Sequence, residues 1–205
     1  MIAIIDYGMG NLRSVLHKLG RLGIDAEVAS SQEVIENVDK IILPGVGSFA
    51  RGMVNLEEAG LVGVLNDRII DGKTPVLGIC LGMQLFSKHS EEGNAEGFGW
   101  VDAQTRRFNF NEKSGNFRIP HVGWNSIEVK REDPLFTNIG ENERFYFTHS
   151  YHLDCANKND VLATTHYGYD FPSVIRKENI VGVQFHPEKS HKLGIQLIKN
   201  FVDYI

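Results

Sequence analysis

The chain has 205 residues, 42% hydrophobic and 23% charged, with 21 Lys+Arg against 26 Asp+Glu and a net charge of −5. That is ordinary globular usage, which excludes a disordered chain, and it lacks the basic field of a nucleic-acid binder. The two cysteines cannot build a disulfide framework, and no apolar run reaches the ~18 residues of a membrane span.

Met1-Ile-Ala-Ile-Ile-Asp6 lacks the basic start of a signal peptide, so a cytoplasmic, thiol-compatible protein is expected, with a single domain over residues 1–205. Ile2–Ile5 reads as a short buried strand closed by Asp6-Tyr7-Gly8. Leu12, Val15, Leu16, Leu19 and Leu22 fall on one helical face, and Gly23 stands where a helix stops. Ala26–Ala29 and Lys40–Leu43 read as second and third strands, the latter broken by Pro44-Gly45. Leu61, Leu65 and Ile69 mark another helical stripe. Val76–Ile79 is a fourth strand, running straight into a helix expected over Leu81–Lys88. Continuous apolar strands alternating with amphipathic helices predict parallel βαβ units, helices on both faces of a mostly parallel central sheet.

Between Gly93 and Asp170 the period changes to two, as in Phe145, Phe147, His149, Tyr151 and Leu153, and Glu96–Gly123 is rich in Gly, Asn and charge. Antiparallel strands and loops, appended to one side of the sheet, are expected there. Val181–Phe185 returns as a buried strand, and Leu193, Leu197, Ile198, Phe201 and Val202 form a last amphipathic helix.

Gly78-Ile79-Cys80-Leu81-Gly82 lies where a strand turns directly into a helix. The pattern G-x-nucleophile-x-G is that of a nucleophile elbow, whose sharp turn projects the side chain from the sheet. The helix N-terminus favours a thiolate, and the Leu81 N–H points where an oxyanion would form. A buried Cys between packing glycines is the competing reading.

A Cys nucleophile needs a base, and His186-Pro187-Glu188 follows a buried strand at the edge where α/β folds hold ligands. Pro187 keeps His186 extended, so Glu188 is expected on the same side as the imidazole, able to orient it. Glycines in Pro44-Gly45-Val46-Gly47 leave the backbone free to rotate and offer a second oxyanion donor. Gln84, one turn beyond Cys80, faces the same cleft.

His149, His152 and Cys155 have a metal-like spacing, but in one strand the two histidines would face opposite sides; no metal site is expected. Gly8-Met9-Gly10 lacks the third glycine of a dinucleotide turn, so no cofactor is expected.

Gly78-Ile-Cys80-Leu-Gly82-Met-Gln84 with His186-Pro-Glu188 resembles the class I, triad glutamine amidotransferases. Asp6-Tyr-Gly-Met-Gly-Asn11-Leu12, Pro44-Gly-Val-Gly-Ser-Phe49, Pro120-His-Val-Gly-Trp124-Asn125, Tyr146-Phe-Thr-His-Ser-Tyr151 and Gly182-Val-Gln-Phe-His-Pro-Glu-Lys-Ser190 narrow the likeness to glutaminase subunits of imidazole glycerol phosphate synthase, end to end.

The resemblance implies a flavodoxin-like three-layer fold with an antiparallel extension and a Cys80–His186–Glu188 triad. It implies an oxyanion hole from Leu81 and the Val46–Gly47 segment, and glutamine contacts from Gly47, Gln84, Glu92, Ser150 and Tyr151. Glu92 suits the ammonium of glutamine, although the run Glu91-Glu92 also reads as a solvated charge pair. Ser150 stands where other members carry Thr, and the hydroxyl survives.

A separate (β/α)₈ cyclase subunit is the implied partner, in a heterodimer that makes imidazole glycerol phosphate and aminoimidazole carboxamide ribotide for histidine biosynthesis. Trp124, a large aromatic in a Gly-flanked polar stretch, is expected at that interface, with Asn11 and Lys189 relaying the partner's state. A glutaminase serving another synthase, a Cys hydrolase on the same fold, and a regulatory module with a dead site are the alternatives.

Overall fold

The computed structural model describes residues 1–110 and 117–205. Part of the Gly/Asn-rich stretch expected as loop, residues 111–116, lies outside the described residues. The chain opens with β1 (Ile2–Ile5), α1 (Leu12–Arg21), β2 (Ala26–Ala29), α2 (Gln32–Glu36) and β3 (Lys40–Gly45). Next come α3 (Phe49–Glu58), α4 (Leu61–Asn66), β4 (Val76–Cys80) and α5 (Leu81–Gln84). Strands then dominate: β5 (His89–Ser90), β6 (Ala95–Glu96), β7 (Ala103–Arg107), β8 (His121–Ser126) and β9 (Glu128–Val129). They are followed by β10 (Arg144–His149), β11 (Tyr151–Cys155), β12 (Val161–Tyr167), β13 (Tyr169–Lys177) and β14 (Ile180–Val183), and α6 (His191–Tyr204) closes the chain.

Eight strands form one sheet in the order β2-β1-β3-β4-β14-β13-β12-β9. Pairing is parallel from β2 to β14 and antiparallel beyond it. The sheet is coated on both faces because its buried strands alternate sides. Ile2, Ile4, Ile42, Leu77 and Ile79 pack with Val15 and Leu19 of α1 and with Leu197, Ile198 and Phe201 of α6. Ala3, Ile5, Ile41, Leu43 and Val76 face α2–α5 through Ile35, Phe49, Met53, Leu56, Leu61 and Leu65. This is the three-layer α/β architecture expected, with its antiparallel extension.

Several local expectations change. Strand β3 runs through Pro44 and Gly45, which pair with Ile79 and Cys80 of β4. The proline is tolerated because β1 pairs only as far as Ile42, so its missing N–H removes no partner on that side. Helix α5 stops at Gln84, four residues short of Lys88, because the next N–H groups leave the helical ladder. Those of Phe86 and Ser87 tighten onto Met83 O and Gln84 O, three residues back, and that of Lys88 donates to Ala103 O. A returning loop then takes the free carbonyls beyond. Phe98 N–H donates to Leu85 O, Val101 N–H to Phe86 O and Gly99 N–H to Ser87 O. The strand expected over Val181–Phe185 is Ile180–Val183.

The antiparallel region is not a single appendage. Its strands β9, β12 and β13 extend the main sheet, β8 and β10 form a separate ribbon, and β5, β6, β7 and β11 form a small sheet with one parallel pair. Among the described residues, no helix is long and apolar enough to cross a membrane.

Candidate active site

Three neighbouring strands, β3, β4 and β14, end at the same edge of the sheet, and each delivers one part of the site. At the end of β4, Cys80 adopts φ 53°, ψ −107°, a conformation that L-residues rarely hold without surrounding support. The support is a tight approach of α5 to the sheet. A Cβ on Gly82 would lie 1.8 Å from the Leu43 carbonyl oxygen, and one on Gly78 would lie 2.5 Å from the Phe86 ring. Neither position accepts any other residue without moving the helix, so the glycines hold the elbow down onto the strands.

At the end of β14, His186 is extended (φ −100°, ψ 94°) and almost fully buried. Its Nδ1 lies 2.8 Å from Glu188 Oε1, a carboxylate that can only accept, so Nδ1 carries the proton. Glu188 reaches the imidazole from a 3₁₀ turn over Pro187–Lys189 rather than from the extended chain expected. Burial works against an imidazolium here, but the Cys80 sulfur and then Glu188 outweigh it and carry the His186 pKa up to about 10. Among the described residues Nε2 has no aligned hydrogen-bond partner, and the sulfur acts on it first through charge. A thiolate beside an imidazolium is poised to attack a carbonyl and to protonate a leaving amine.

The cavity beside Cys80 holds about 300 Å³. Its lining includes every predicted oxyanion and substrate residue: Val46, Gly47, Leu81, Gln84, Glu92, Ser150 and Tyr151. Leu81 opens α5, where N–H groups have no intrahelical partner. Gly47 sits at φ 107°, a conformation that favours glycine. Glu92 is not a free solvated charge: its Oε2 accepts the Phe49 N–H at the start of α3, 2.8 Å away. The Gln84 amide is met by the protein, with Nε2 donating to Tyr151 O (2.8 Å) and to Gln184 Oε1 (3.1 Å).

Pro120, Thr148 and His149 also line the cavity and were not singled out for substrate. Contrary to expectation, His149 and His152 do not face opposite sides of one strand, because the chain bends at Ser150 and passes from the ribbon into the small sheet. Both rings pack on Phe108 and Phe171. His149 donates through Nδ1 to Tyr151 O, which leaves its Nε2 to accept from His121 Nδ1 at 3.0 Å. Burial drives His121 down to about 4 and His149 below its usual range, so this pair is neutral and fixes the Tyr151 backbone. Gln184 was missed as well. It is fully buried, and its Nε2 lies 3.6 Å from Cys80 Sγ. A wider groove of about 620 Å³ along Ile127–Asp133 and Phe136–Asn142 holds no Cys, Ser or His.

Of the predicted coupling residues, Trp124 is 37% exposed and stacks on His191 at 5.0 Å. Lys189 Nζ lies 5.7 Å from the centre of the Tyr146 ring, which meets Trp124 edge-on at 6.1 Å, so Trp124 and Lys189 share one surface cluster. Asn11 lies at the start of α1 and caps it, accepting the Ser14 N–H.

Fold and site together define a glutamine amidotransferase, and the chain belongs to the glutamine amidotransferase class-I family, whose model matches residues 3–204. Among its curated relatives is imidazole glycerol phosphate synthase subunit HisH 2 of Methanococcus maripaludis, 50% identical over 202 residues and 98% of each chain. The subunit of the same name in Pseudomonas aeruginosa is 45% identical over the full length of both chains. A crystal structure of a glutamine amidotransferase superposes with TM-score 0.76 at 20% identity, covering 99% of this chain and 98% of its own.

Proposed function

We propose that this chain, as one amidotransferase domain over 1–205, is the glutaminase subunit of an imidazole glycerol phosphate synthase in histidine biosynthesis. The observation that carries the reading is Cys80, held at positive φ beside the His186–Glu188 pair, on the wall of a cavity of amino-acid size. The names and full-length identities of the HisH relatives support the choice of synthase.

In this reading the Cys80 thiolate attacks the carboxamide carbon of glutamine. The developing oxyanion is met by the Leu81 N–H and one from Val46–Gly47. The His186 imidazolium gives its proton to the departing nitrogen as the C–N bond breaks, releasing ammonia and leaving a thioester. His186, now neutral, takes a proton from water, whose oxygen attacks the thioester; collapse expels the Cys80 sulfur and frees glutamate. Glu188 holds the imidazole and balances its charge throughout. Gln84, Ser150 and Tyr151 hold the substrate, and the Glu92 carboxylate takes its ammonium.

Ammonia passes to a (β/α)₈ cyclase subunit bound over the cluster of Trp124, Tyr146 and Lys189. The test is ammonia release from glutamine, measured with and without that cyclase. Release that rises with the cyclase and vanishes in Cys80→Ala is expected. Hydrolysis that survives Cys80→Ala overturns the triad, and indifference to the cyclase overturns the partner.

A further inference from the structure

We propose that Gln184 is a catalytic residue, whose amide N–H holds the Cys80 sulfur as an aimed thiolate and is itself held in place by Gln84. The inference rests on the glutaminase reading above and adds to it a group that touches the reacting atom.

Gln184 lies just past β14, two residues before His186, and its side chain is fully buried between β4 and α5. Its Nε2 is 3.6 Å from Cys80 Sγ, a hydrogen-bonding distance for so large an acceptor, and its Oε1 is 3.1 Å from Gln84 Nε2. The orientation of this amide follows from its neighbours. Gln84 Nε2 already donates to the Tyr151 carbonyl, which only accepts, so Gln84 presents its NH₂ side here. Gln184 must therefore turn its oxygen toward Gln84 and its NH₂ toward sulfur. A glutamine-binding side chain, a buried amide and the nucleophile thus form one chain of donors running from the cavity wall to Sγ.

The physical consequence has two opposite parts. An N–H aimed at sulfur is a stronger partner for a thiolate than for a thiol, so it raises the thiolate fraction at neutral pH. It also stabilises the ground state more than the thioester, in which the sulfur carries no charge, so it moderates the intrinsic reactivity of each thiolate. Other groups act on the same sulfur: His186 after β14 and Tyr7 after β1, with Glu188 and His149 facing His186.

The test reads Cys80 directly, as the pH dependence of its alkylation by iodoacetamide in the absence of glutamine, in a Cys155→Ala background. In Gln184→Leu the pH midpoint of alkylation is expected to rise by about one unit, a tenfold change in the protonation equilibrium. The plateau rate at high pH is expected to rise about threefold, following the usual dependence of thiolate nucleophilicity on basicity. Glutamine hydrolysis at pH 7 falls in the same variant.

Gln184→Glu keeps the shape and the acceptor for Gln84, and places a carboxylate on the thiolate. Its midpoint is expected to move further up, and it serves where the leucine variant fails to fold. A midpoint unchanged from that of the background protein in either folded variant, with hydrolysis lowered only in step with thermal stability, overturns the proposal and leaves Gln184 a packing residue. Failure of the glutaminase reading looks different: glutamine hydrolysis that survives Cys80→Ala, whatever the alkylation profile.

Discussion

Replacing Glu188 by Gln tests the buried carboxylate behind the His186 imidazole. The carboxylate is 5% exposed, its Oε1 accepts from His186 Nδ1 at 2.8 Å, and its Oε2 has no partner among the described residues. Glutamine fits the same space and can still turn a carbonyl oxygen toward Nδ1, so the imidazole keeps its tautomer and loses only the charge behind it. A hydrogen bond to a charged group is worth ~1.5–3 kcal/mol, and this one tightens as His186 becomes an imidazolium. At ~1.4 kcal/mol per tenfold, kcat/KM for glutamine is expected to fall about 10- to 100-fold.

The stability follows with a definite sign. His186 has its pKa raised from 6.5 to about 10 in the folded protein, with Glu188 among the causes. The stabilisation linked to its proton is therefore fully present below pH ~6.5 and is lost as the pH rises through about 10. The gap in melting temperature between wild type and Glu188→Gln that is linked to this proton is expected to be largest at and below pH ~6.5 and to close as the pH rises toward about 10. The assay is ammonia release against pH, with thermal melts at the same points. A kcat/KM within twofold of wild type across that range would refute the role given to the carboxylate.

Gly82→Ala places a Cβ 1.8 Å from the Leu43 oxygen, so α5 must lift off β3. A loss of about 1–3 kcal/mol in denaturant melts, together with lost hydrolysis as the Leu81 N–H shifts, is expected. Tyr7→Phe removes a buried hydroxyl with no partner among the described residues, and a gain of up to ~1 kcal/mol is expected from denaturant melts. Cys155 is 1% exposed, with its thiol pushed up to about 12 by burial, so it is no rival nucleophile. Cys155→Ala is expected to cost ~1 kcal/mol for the small void it leaves while keeping full activity. Trp124→Ala removes the exposed ring stacked on His191, and a loss of ~2 kcal/mol in cyclase binding, about 30-fold in Kd by titration calorimetry, is expected at unchanged melting temperature.

Where the sequence was readable, the cause of the structure was local. The strands β1 and β4 are short apolar runs, and α1 carries its own cap in Asn11 and its own stop in Gly23 at φ 70°. The elbow was readable because Gly78 and Gly82 bracket a residue at a strand–helix junction, a pattern with few other uses. Where the reading failed, the cause lay far along the chain. No Gly or Pro within Met83–Lys88 ends the helix; the Lys88 N–H leaves the helical ladder for the Ala103 carbonyl of β7, and the N–H groups of Phe98, Gly99 and Val101 take the carbonyls left free at Leu85–Ser87. The continuation of β3 through Pro44 depends on where β1 stops pairing. The convergence of His149 and His152 follows from two strands joining different sheets at Ser150.

Gln184 shows how a functional signal can be present and still be overlooked. It stands two residues before His186, as Glu188 stands two after, so the alternation used to pair one neighbour with the imidazole applies equally to the other. The difference is that a carboxylate beside a histidine has an obvious partner, whereas a buried amide needs one of each kind. Only the fold supplies both: α5 brings Gln84 to its oxygen, and the β4 turn brings Cys80 to its nitrogen. Gly78 and Gly182, paired across β4 and β14, make that meeting possible. A Cβ on Gly182 would lie 2.6 Å from Met83 Cγ and one on Gly78 2.7 Å from the Met83 backbone nitrogen, so the helix bearing Gln84 can descend between the two strands only where both side chains are absent. The same absence of side chains that lets α5 sit low thus fixes Cys80 in its strained turn and joins Gln84 on the cavity wall to the Cys80 sulfur.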